Sequence, residues 1–329
     1  MATSFSPSLC KDHIRSIAAN EGFDACGFAR AREIAPEAQA AYETWISEGK
    51  HGCLQYMERH AALRNNPQLL LEGAATVMVL AMNYYPQRFQ SPEAPQFAYY
   101  AYGNDYHEVV RQRASVIVEK MRANYGGDYR ICVDTAPLRE RYWAQQAGVG
   151  FVGLNNQLII PGKGSYFFLC AILTTLEITP DEPLVSSCGN CRRCVKACPA
   201  GALSNPPGAV DARRCLSCLT IEYRGELPPS ALKCIGNRVY GCDECQKICP
   251  HNAEAEATKI AEFQPSEELL TLDAEALAAL TDEKFRLLFR HSAVKRTKHS
   301  GLQRNISAVL QSKTAENDTI TPKKEQLIS

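Results

Sequence analysis

The sequence predicts a chain of mixed architecture: a layered α/β region, then a cysteine-rich domain of turns, then a helical segment. Three observations predict this. Helix-like and strand-like apolar patterns alternate through the first 182 residues. Ten of the 15 cysteines crowd between Cys188 and Cys249. Beyond residue 257 the pattern turns helical and no cysteine remains. The expected units are therefore 1–182, 183–256 and 257–312, with a flexible polar tail over 313–329.

Within the first unit, Leu9, Ile14, Ile17 and Ala18 recur at helical spacing and Gly22 follows them. Residues 76–84 are rich in Val, Met and Leu and read as a buried strand. Val109, Val110, Ile117, Val118 and Met121 make a helical stripe. Residues 129–133 read as a short strand, 137–147 as a helix with Pro137 near its first turn, and 166–176 as another apolar strand. Helices alternating with strands predict layered packing. In the third unit, helices are expected over 266–280, 282–290 and 302–310.

Composition narrows the function. The chain has 329 residues, 45% of them hydrophobic, enough for a sizeable core. Lys plus Arg (36) equals Asp plus Glu (36), so no overall charge points to nucleic acid or a membrane. The N-terminus has no apolar core of signal-peptide type. The longest apolar stretch, 69–85, is interrupted by Glu72 and Gly73. A soluble, cytoplasmic protein is expected. In that reducing compartment an odd number of cysteines points to metal rather than to disulfides.

The strongest motif is Cys188-x2-Cys191-x2-Cys194-x3-Cys198-Pro199. A tight loop offers three thiolates to one 4Fe–4S cubane, and the fourth Cys turns away to a second one. A half-motif follows, Cys242-x2-Cys245-x3-Cys249-Pro250, with Val239 where its first Cys would stand. Cys215 is the expected substitute, and Cys218 is a rival that spacing does not exclude. Crossing then assigns Cys188, Cys191, Cys194 and Cys249 to cluster one. Cluster two takes Cys198, Cys215, Cys242 and Cys245. Zinc knuckles also use C-x2-C pairs, but not two halves of this spacing with Pro after the last Cys. Cys10, Cys26, Cys53, Cys132, Cys170 and Cys234 read as small buried side chains. Two neighbouring clusters make an electron relay, and the residues ahead of them are expected to hold the acceptor.

Asp134 ends the expected strand 129–133, a place where sites in α/β sheets collect. It is either a proton donor or an N-cap beside Pro137. Arg141 is either its orienting partner or a solvated helix residue.

Several runs of the chain resemble the epoxyqueuosine reductases. They are Tyr102-Gly103-Asn104-Asp105-Tyr106-His107, Val133-Asp134-Thr135-Ala136-Pro137, Gly150-Phe151-Val152-Gly153 and Gly164-Ser165-Tyr166-Phe167-Phe168. Most specific are Leu219-Thr220-Ile221-Glu222 and the run from Ile235 to Gln246, IGNRVYGCDECQ, which ferredoxins as a class do not carry. The resemblance spans residues 8–310. It implies an oxidoreductase that reduces the epoxide of epoxyqueuosine at the wobble position of tRNA, giving queuosine, with cobalamin and two 4Fe–4S clusters. It implies Asp134 as proton donor and favours Cys215 over Cys218. Leu154 and His251 depart from the family, which commonly has Lys and Trp there.

No D-x-H-x-x-G cobalamin signature is present. A base-off cofactor is therefore expected, without a protein imidazole beneath it. Corrin contacts are assigned to Tyr106, His107, Asp134, Gln157, Leu158, Ser165 and Ser217. A neutral Asp134 would need a raised pKa. An RNA substrate needs a basic surface, and 286–304 carries six Lys and Arg with no acidic residue. Arg224, Arg290, Lys295, Arg296, Lys298 and Arg304 are the expected contacts to the anticodon stem-loop. A solvated helical face is the competing meaning of such a run. A monomer fed by a low-potential electron donor is expected. The rival classes are a reductive-dehalogenase-type cobalamin enzyme and an iron–sulfur electron carrier.

Overall fold

The structure, a computed structural model, describes residues 7–203 and 210–320, with side chains over 11–203 and 210–312. The apolar runs at Thr76–Asn83 and Phe167–Thr174 leave neither face polar enough for water, and they become the central strands of a four-stranded sheet. Its order is Ala25–Arg30, Thr76–Asn83, Phe167–Thr174, Tyr129–Cys132. Each neighbouring pair is antiparallel. Layering is present as expected, but the strands do not run parallel as they would in a doubly wound sheet.

Alternation along these strands divides the core in two. Met78, Leu80 and Met82, with Phe168, Cys170 and Ile172, face the helices Pro7–Asn20 and Tyr106–Tyr125. Val77, Val79 and Ala81, with Ala171 and Leu173, face Trp143 and Ala144 of the helix Glu140–Gln146. Burying each such large side chain contributes roughly 1.5–3 kcal/mol, so these two faces set the frame on which the site is hung. Strand Ala25–Arg30 lets the second layer in closely at Gly27, where a Cβ would come 2.0 Å from the Ala147 carbonyl oxygen.

The helix expected from residue 137 begins at Glu140, and Pro137 lies in the loop before it. Thr135 N–H donates to the Val133 carbonyl and Leu138 N–H to that of Ala136. Two successive tight turns thus occupy the residues that would have formed the first helical turn. The expected helix 266–280 is two, Glu267–Thr271 and Ala274–Ala278, because Asp273 turns its carboxylate onto Ala276 N (2.7 Å) and starts a new helix. The last helix runs Lys298–Ile320, past the point where the polar tail was expected to begin. Residues 321–329 lie outside the described residues. Among those described, no helix is long and apolar enough to cross a membrane.

A second core joins all three compositional regions. Phe97, Ala101 and Tyr102 pack with Leu216, Val239 and Tyr240 of the cysteine region and with Phe285, Leu302 and Ile306 of the helical one. Strand Gln96–Phe97 pairs in parallel with Arg238–Tyr240, and Asp243 accepts from Tyr99 N at 2.7 Å.

Candidate active site and cluster-binding cysteines

The fold gathers cysteines into two quartets. Cys188, Cys191, Cys194 and Cys249 line one small pocket, together with Leu154, Ile159 and His251. Phe151 and Ile159 make its wall apolar. In the other quartet, burial pushes the Cys245 thiol well above the ordinary range, and Cys242, Cys215 and Cys198 are among the neighbours that add to the effect. None of these cysteines is in a disulfide.

The donor chemistry suits iron–sulfur clusters. Crowded thiolates repel one another and need a positive counterpart. Main-chain N–H groups already point at sulfur, from Leu154 to Cys188 (3.4 Å) and from Ala202 to Cys198 (3.2 Å). Ser217 and Cys218 donate likewise to Cys215, and His251 and Asn252 to Cys249. Such hydrogen bonds tune cluster potentials. Among the described residues no three His, Cys, Asp or Glu side chains converge on a single-ion position. Four thiols around an open cavity fit a multi-atom cluster better than one zinc ion. Cys218 lies outside the quartets, its Sγ 3.4 Å from that of Cys53. Cys132 and Cys170 are fully buried in the sheet. Cys26 and Cys234 are half-buried, and the Cys10 side chain lies outside the described residues.

Asp134 follows strand Tyr129–Cys132 with φ of 51°, a left-handed conformation that Asp tolerates better than most residues. Its N–H donates to Glu140 Oε1 at 2.8 Å. With the main chain so held, Asp134 Oδ2 meets His107 Nε2 at 3.0 Å. It does not cap the following helix, which has no side-chain cap. His107 begins the helix Tyr106–Tyr125, capped by Asp105, and its Nδ1 lies 2.7 Å from Asp105 Oδ1. Lys295 Nζ holds Asp105 Oδ2 at 2.8 Å. Tyr106 stacks on the imidazole (centroids 4.0 Å apart) and on Phe168 (4.3 Å), fixing the ring. The result is a continuous series, Lys295–Asp105–His107–Asp134.

Electrostatics overturn the expectation of a raised Asp134 pKa. Burial does push that carboxyl up, but the hydrogen bond and charge of His107 outweigh it and hold it below its ordinary value. Burial disfavours the imidazolium of His107, yet the hydrogen bonds and charges of Asp105 and Asp134 lift it to about 9. Burial and then the Asp134 charge lift Glu140 to about 8. At neutral pH the protons sit on His107 and Glu140.

The Asp134 side chain is 57% exposed, yet surrounding protein still desolvates it. That combination describes the floor of a cleft. Arg296 pairs with Glu222 nearby, and the charge of Asp134 reaches both Tyr56 and Arg296. Arg141 donates to the Asn156 carbonyl, and its charge also reaches Asp134. Sequence reasoning named Asp105 only within the run from Tyr102 to His107 and gave no role to Glu140 or Tyr56.

The other expected corrin contacts are dispersed. Gln157 lies in a tight loop, its N–H donating to Asn155 Oδ1 at 3.2 Å. Leu158 is buried and pairs with Val152 in a short strand. Ser165 is also buried, its Oγ accepting from Asn252 Nδ2 (3.0 Å) and Gln246 Nε2 (3.2 Å), and it stitches the sheet to the cysteine region. Ser217 is half-buried on the helix Leu216–Ile221.

The basic residues divide by partner. Arg304 donates to the carbonyls of Tyr223 (2.6 Å), Gly225 (2.8 Å) and Leu219 (2.9 Å), and Arg224 to those of Ile221 (2.9 Å) and Arg296 (2.8 Å). Both clamp main chain. Arg296 holds Glu222 with two nitrogens, and Lys295 holds Asp105. Arg290 and Lys298 are exposed and have no ion pair among the described residues.

A sheet between helical layers, joined to two quartets of cysteines and ending in an acid–imidazole cleft, defines a double-cluster iron–sulfur protein with a substrate domain. Two family models match: epoxyqueuosine reductase QueG, DUF1730, over residues 64–135, and a 4Fe-4S double cluster binding domain over 187–252. The epoxyqueuosine reductase of Leadbetterella byssophila is 38% identical over 297 residues, covering 90% of this chain and 97% of that protein. That of Escherichia coli is 36% identical over 281 residues, covering 83% and 74%. An epoxyqueuosine reductase crystallised with an epoxyqueuosine-modified tRNA-Tyr stem loop superposes with a TM-score of 0.85 at 30% identity, covering 93% and 82% of the two chains. The Bacillus subtilis epoxyqueuosine reductase superposes at 0.84 with 28% identity, covering 97% and 87%. The chain belongs to the epoxyqueuosine reductase family.

Proposed function

We propose that this protein reduces epoxyqueuosine to queuosine in tRNA. The observation that carries the reading is the cleft floor, where Asp134 hydrogen-bonds a protonated His107 in a chain that also holds the double-cluster cysteines. Cys188, Cys191, Cys194 and Cys249 would hold one 4Fe–4S cluster, and Cys198, Cys215, Cys242 and Cys245 the other. Cys215 is favoured over Cys218 because it neighbours Cys245 and Cys242, whereas the Cys218 sulfur is turned to Cys53.

The cleft suits cobalamin in the base-off state. Asp134 is exposed there, and both nitrogens of His107 are engaged, so that imidazole is not offered to a metal. Tyr106, His107 and the main chain at Gln157 and Leu158 are the residues that would hold it. When bound, the clusters supply single electrons and cobalamin a reduced cobalt able to engage the epoxide carbon.

The chain's own residues manage protons. Loss of the epoxide oxygen as water consumes two electrons and two protons. An oxygen leaving as alkoxide is a poor leaving group, so its proton must come early. His107 Nε2 holds the proton, and Asp134, 3.0 Å away, passes it on to that oxygen. Asp105 and Lys295 hold the imidazole in place for that transfer. Glu140, raised to about 8, keeps a second proton beside the site.

Arg290 and Lys298, exposed and outside any ion pair among the described residues, offer charge to phosphates, while Lys295 and Arg296 are held by Asp105 and Glu222 and Arg224 and Arg304 support the main chain behind them. A single-stranded anticodon loop can present its modified base at low unstacking cost. The protein works as a monomer in the cytoplasm, on electrons from a low-potential donor.

The test is an anaerobic reaction of cobalamin-loaded protein with tRNA bearing epoxyqueuosine and a low-potential reductant. Mass spectrometry should show loss of one oxygen from the nucleoside, dependent on cobalamin. Untouched tRNA with intact clusters and bound cobalamin would sink the reading.

A further inference from the structure

Cys53 and Cys218 belong to neither cysteine quartet and not to the proton series. Their sulfurs nevertheless stand 3.4 Å apart across 165 residues of sequence. Cys53 follows Gly52, whose φ of 58° turns the loop tightly against Arg213; a Cβ on Gly52 would lie 3.2 Å from Arg213 N. Cys218 sits on the helix Leu216–Ile221 that Cys215 opens. Both thiols are half-buried, which admits a small solute. A disulfide spans about 2.0 Å between sulfurs, so the two must close by about 1.4 Å from their 3.4 Å separation. Either sulfur can donate the hydrogen bond between them, so one can attack a disulfide as thiolate while the other resolves the product.

We infer that Cys53 and Cys218 are a redox-active dithiol that closes to an intrachain disulfide by exchange with a small-molecule disulfide of the glutathione type. Where Cys53 attacks first, its thiolate cleaves glutathione disulfide at one sulfur, forms a mixed disulfide and releases a glutathione thiolate. Cys218 then attacks the Cys53 sulfur, expels the second glutathione, and its proton goes to that leaving thiolate. Two protein thiols are oxidised and one glutathione disulfide is reduced to two glutathiones. The bond ties the loop around Gly52 to the helix that begins at Cys215. Tyr56, three residues beyond Cys53, feels the charges of Glu222 and Asp134, so the tie fixes one wall of the cleft. That consequence rests on the proposed function; the bond itself does not.

The experiment uses anaerobic protein with both clusters loaded, equilibrated over graded ratios of reduced to oxidised glutathione. After acid quench, free thiols are alkylated, and digested peptides and iron content are measured. The expected result is a peptide pair joined through Cys53 and Cys218, growing with the oxidised fraction and reversed by dithiothreitol, with iron unchanged. Cys218→Ser should instead accumulate glutathione on Cys53. Full alkylation of both cysteines at every ratio overturns the inference. So does cross-linking that appears only as iron is lost, because the reacting thiols would then be released cluster ligands. Neither outcome depends on tRNA turnover.

Discussion

His107 Nε2 lies 3.0 Å from Asp134 Oδ2, and the far side of the same ring lies 2.7 Å from Asp105 Oδ1. An imidazole between two carboxylates keeps its proton and lends it to whichever side is consumed. The donor and its source are thus separate residues, and they are separable by mutation.

Asp134→Asn keeps the size of the side chain and removes the acid. Turnover of epoxyqueuosine should fall about 10²–10⁴-fold, the usual contribution of a positioned general acid. Cluster absorbance should stay within error, and the melting temperature should fall slightly, because His107 loses one of the two carboxylates that hold its proton. Single-turnover assays measure the first and optical melting the second. A variant with full turnover removes Asp134 from the mechanism.

His107 gives the pH dependence its direction. Its folded pKa, about 9, is above the unfolded value of about 6.5. Its stabilisation is therefore complete below about pH 6.5 and is lost as pH rises through 9. Activity should decline over that same upper limb as the proton source empties. His107→Gln should lower turnover and shrink the stability change between pH 6.5 and 9, leaving the part below about pH 8 that Glu140 contributes. Melting curves across that range decide the point, and an unchanged wild-type slope in the variant counts against the series.

The quartets predict unequal outcomes for two cysteines three residues apart. Cys215→Ser should lose about half of the bound iron, because one cluster loses a ligand. Cys218→Ser should keep all of it. Iron and sulfide analysis with electron paramagnetic resonance reads the difference, and the reverse pattern would exchange the two assignments.

The division among basic residues predicts a split between binding and folding. Replacing Arg290 and Lys298 by Ala should weaken stem-loop binding and lower the salt slope by about one for each phosphate no longer neutralised. Arg304→Ala should leave the slope unchanged and destabilise the protein by about 2–3 kcal/mol, since it abandons three main-chain carbonyls. Binding titrations at several salt concentrations, beside denaturant melts, separate the two.

The sequence carried the pieces better than their arrangement. Apolar runs at 76–83 and 167–174 and the helical stripe from Val109 to Met121 were legible because burial dictates residue type. Strand direction was not, since an apolar strand reads the same in either orientation. Helix onset at 137 was misread because Pro137 also suits a turn, and Asp134 at positive φ sends the chain into one. The cysteine spacing announced the clusters, being a local property of loops. The partners of His107 were hidden. Asp134 comes from a strand end 27 residues away, and the charge the ring gathers depends on geometry that no spacing encodes. For the same reason Arg304, read as an RNA contact, turned out to clamp main chain.

The pairing of Gln96–Phe97 with Arg238–Tyr240 has a further meaning for synthesis of the chain. Tyr99 and its partner Asp243 are 144 residues apart. Until Asp243 has left the ribosome, Phe97, Ala101 and Tyr102 have no core to enter. The growing chain must shelter these side chains, and a ribosome-bound nascent protein is open to aggregation for that interval. Cys242, a proposed cluster ligand, packs against that same core, so cells short of iron or sulfide should accumulate this protein as a partly folded species rather than as a finished apoenzyme.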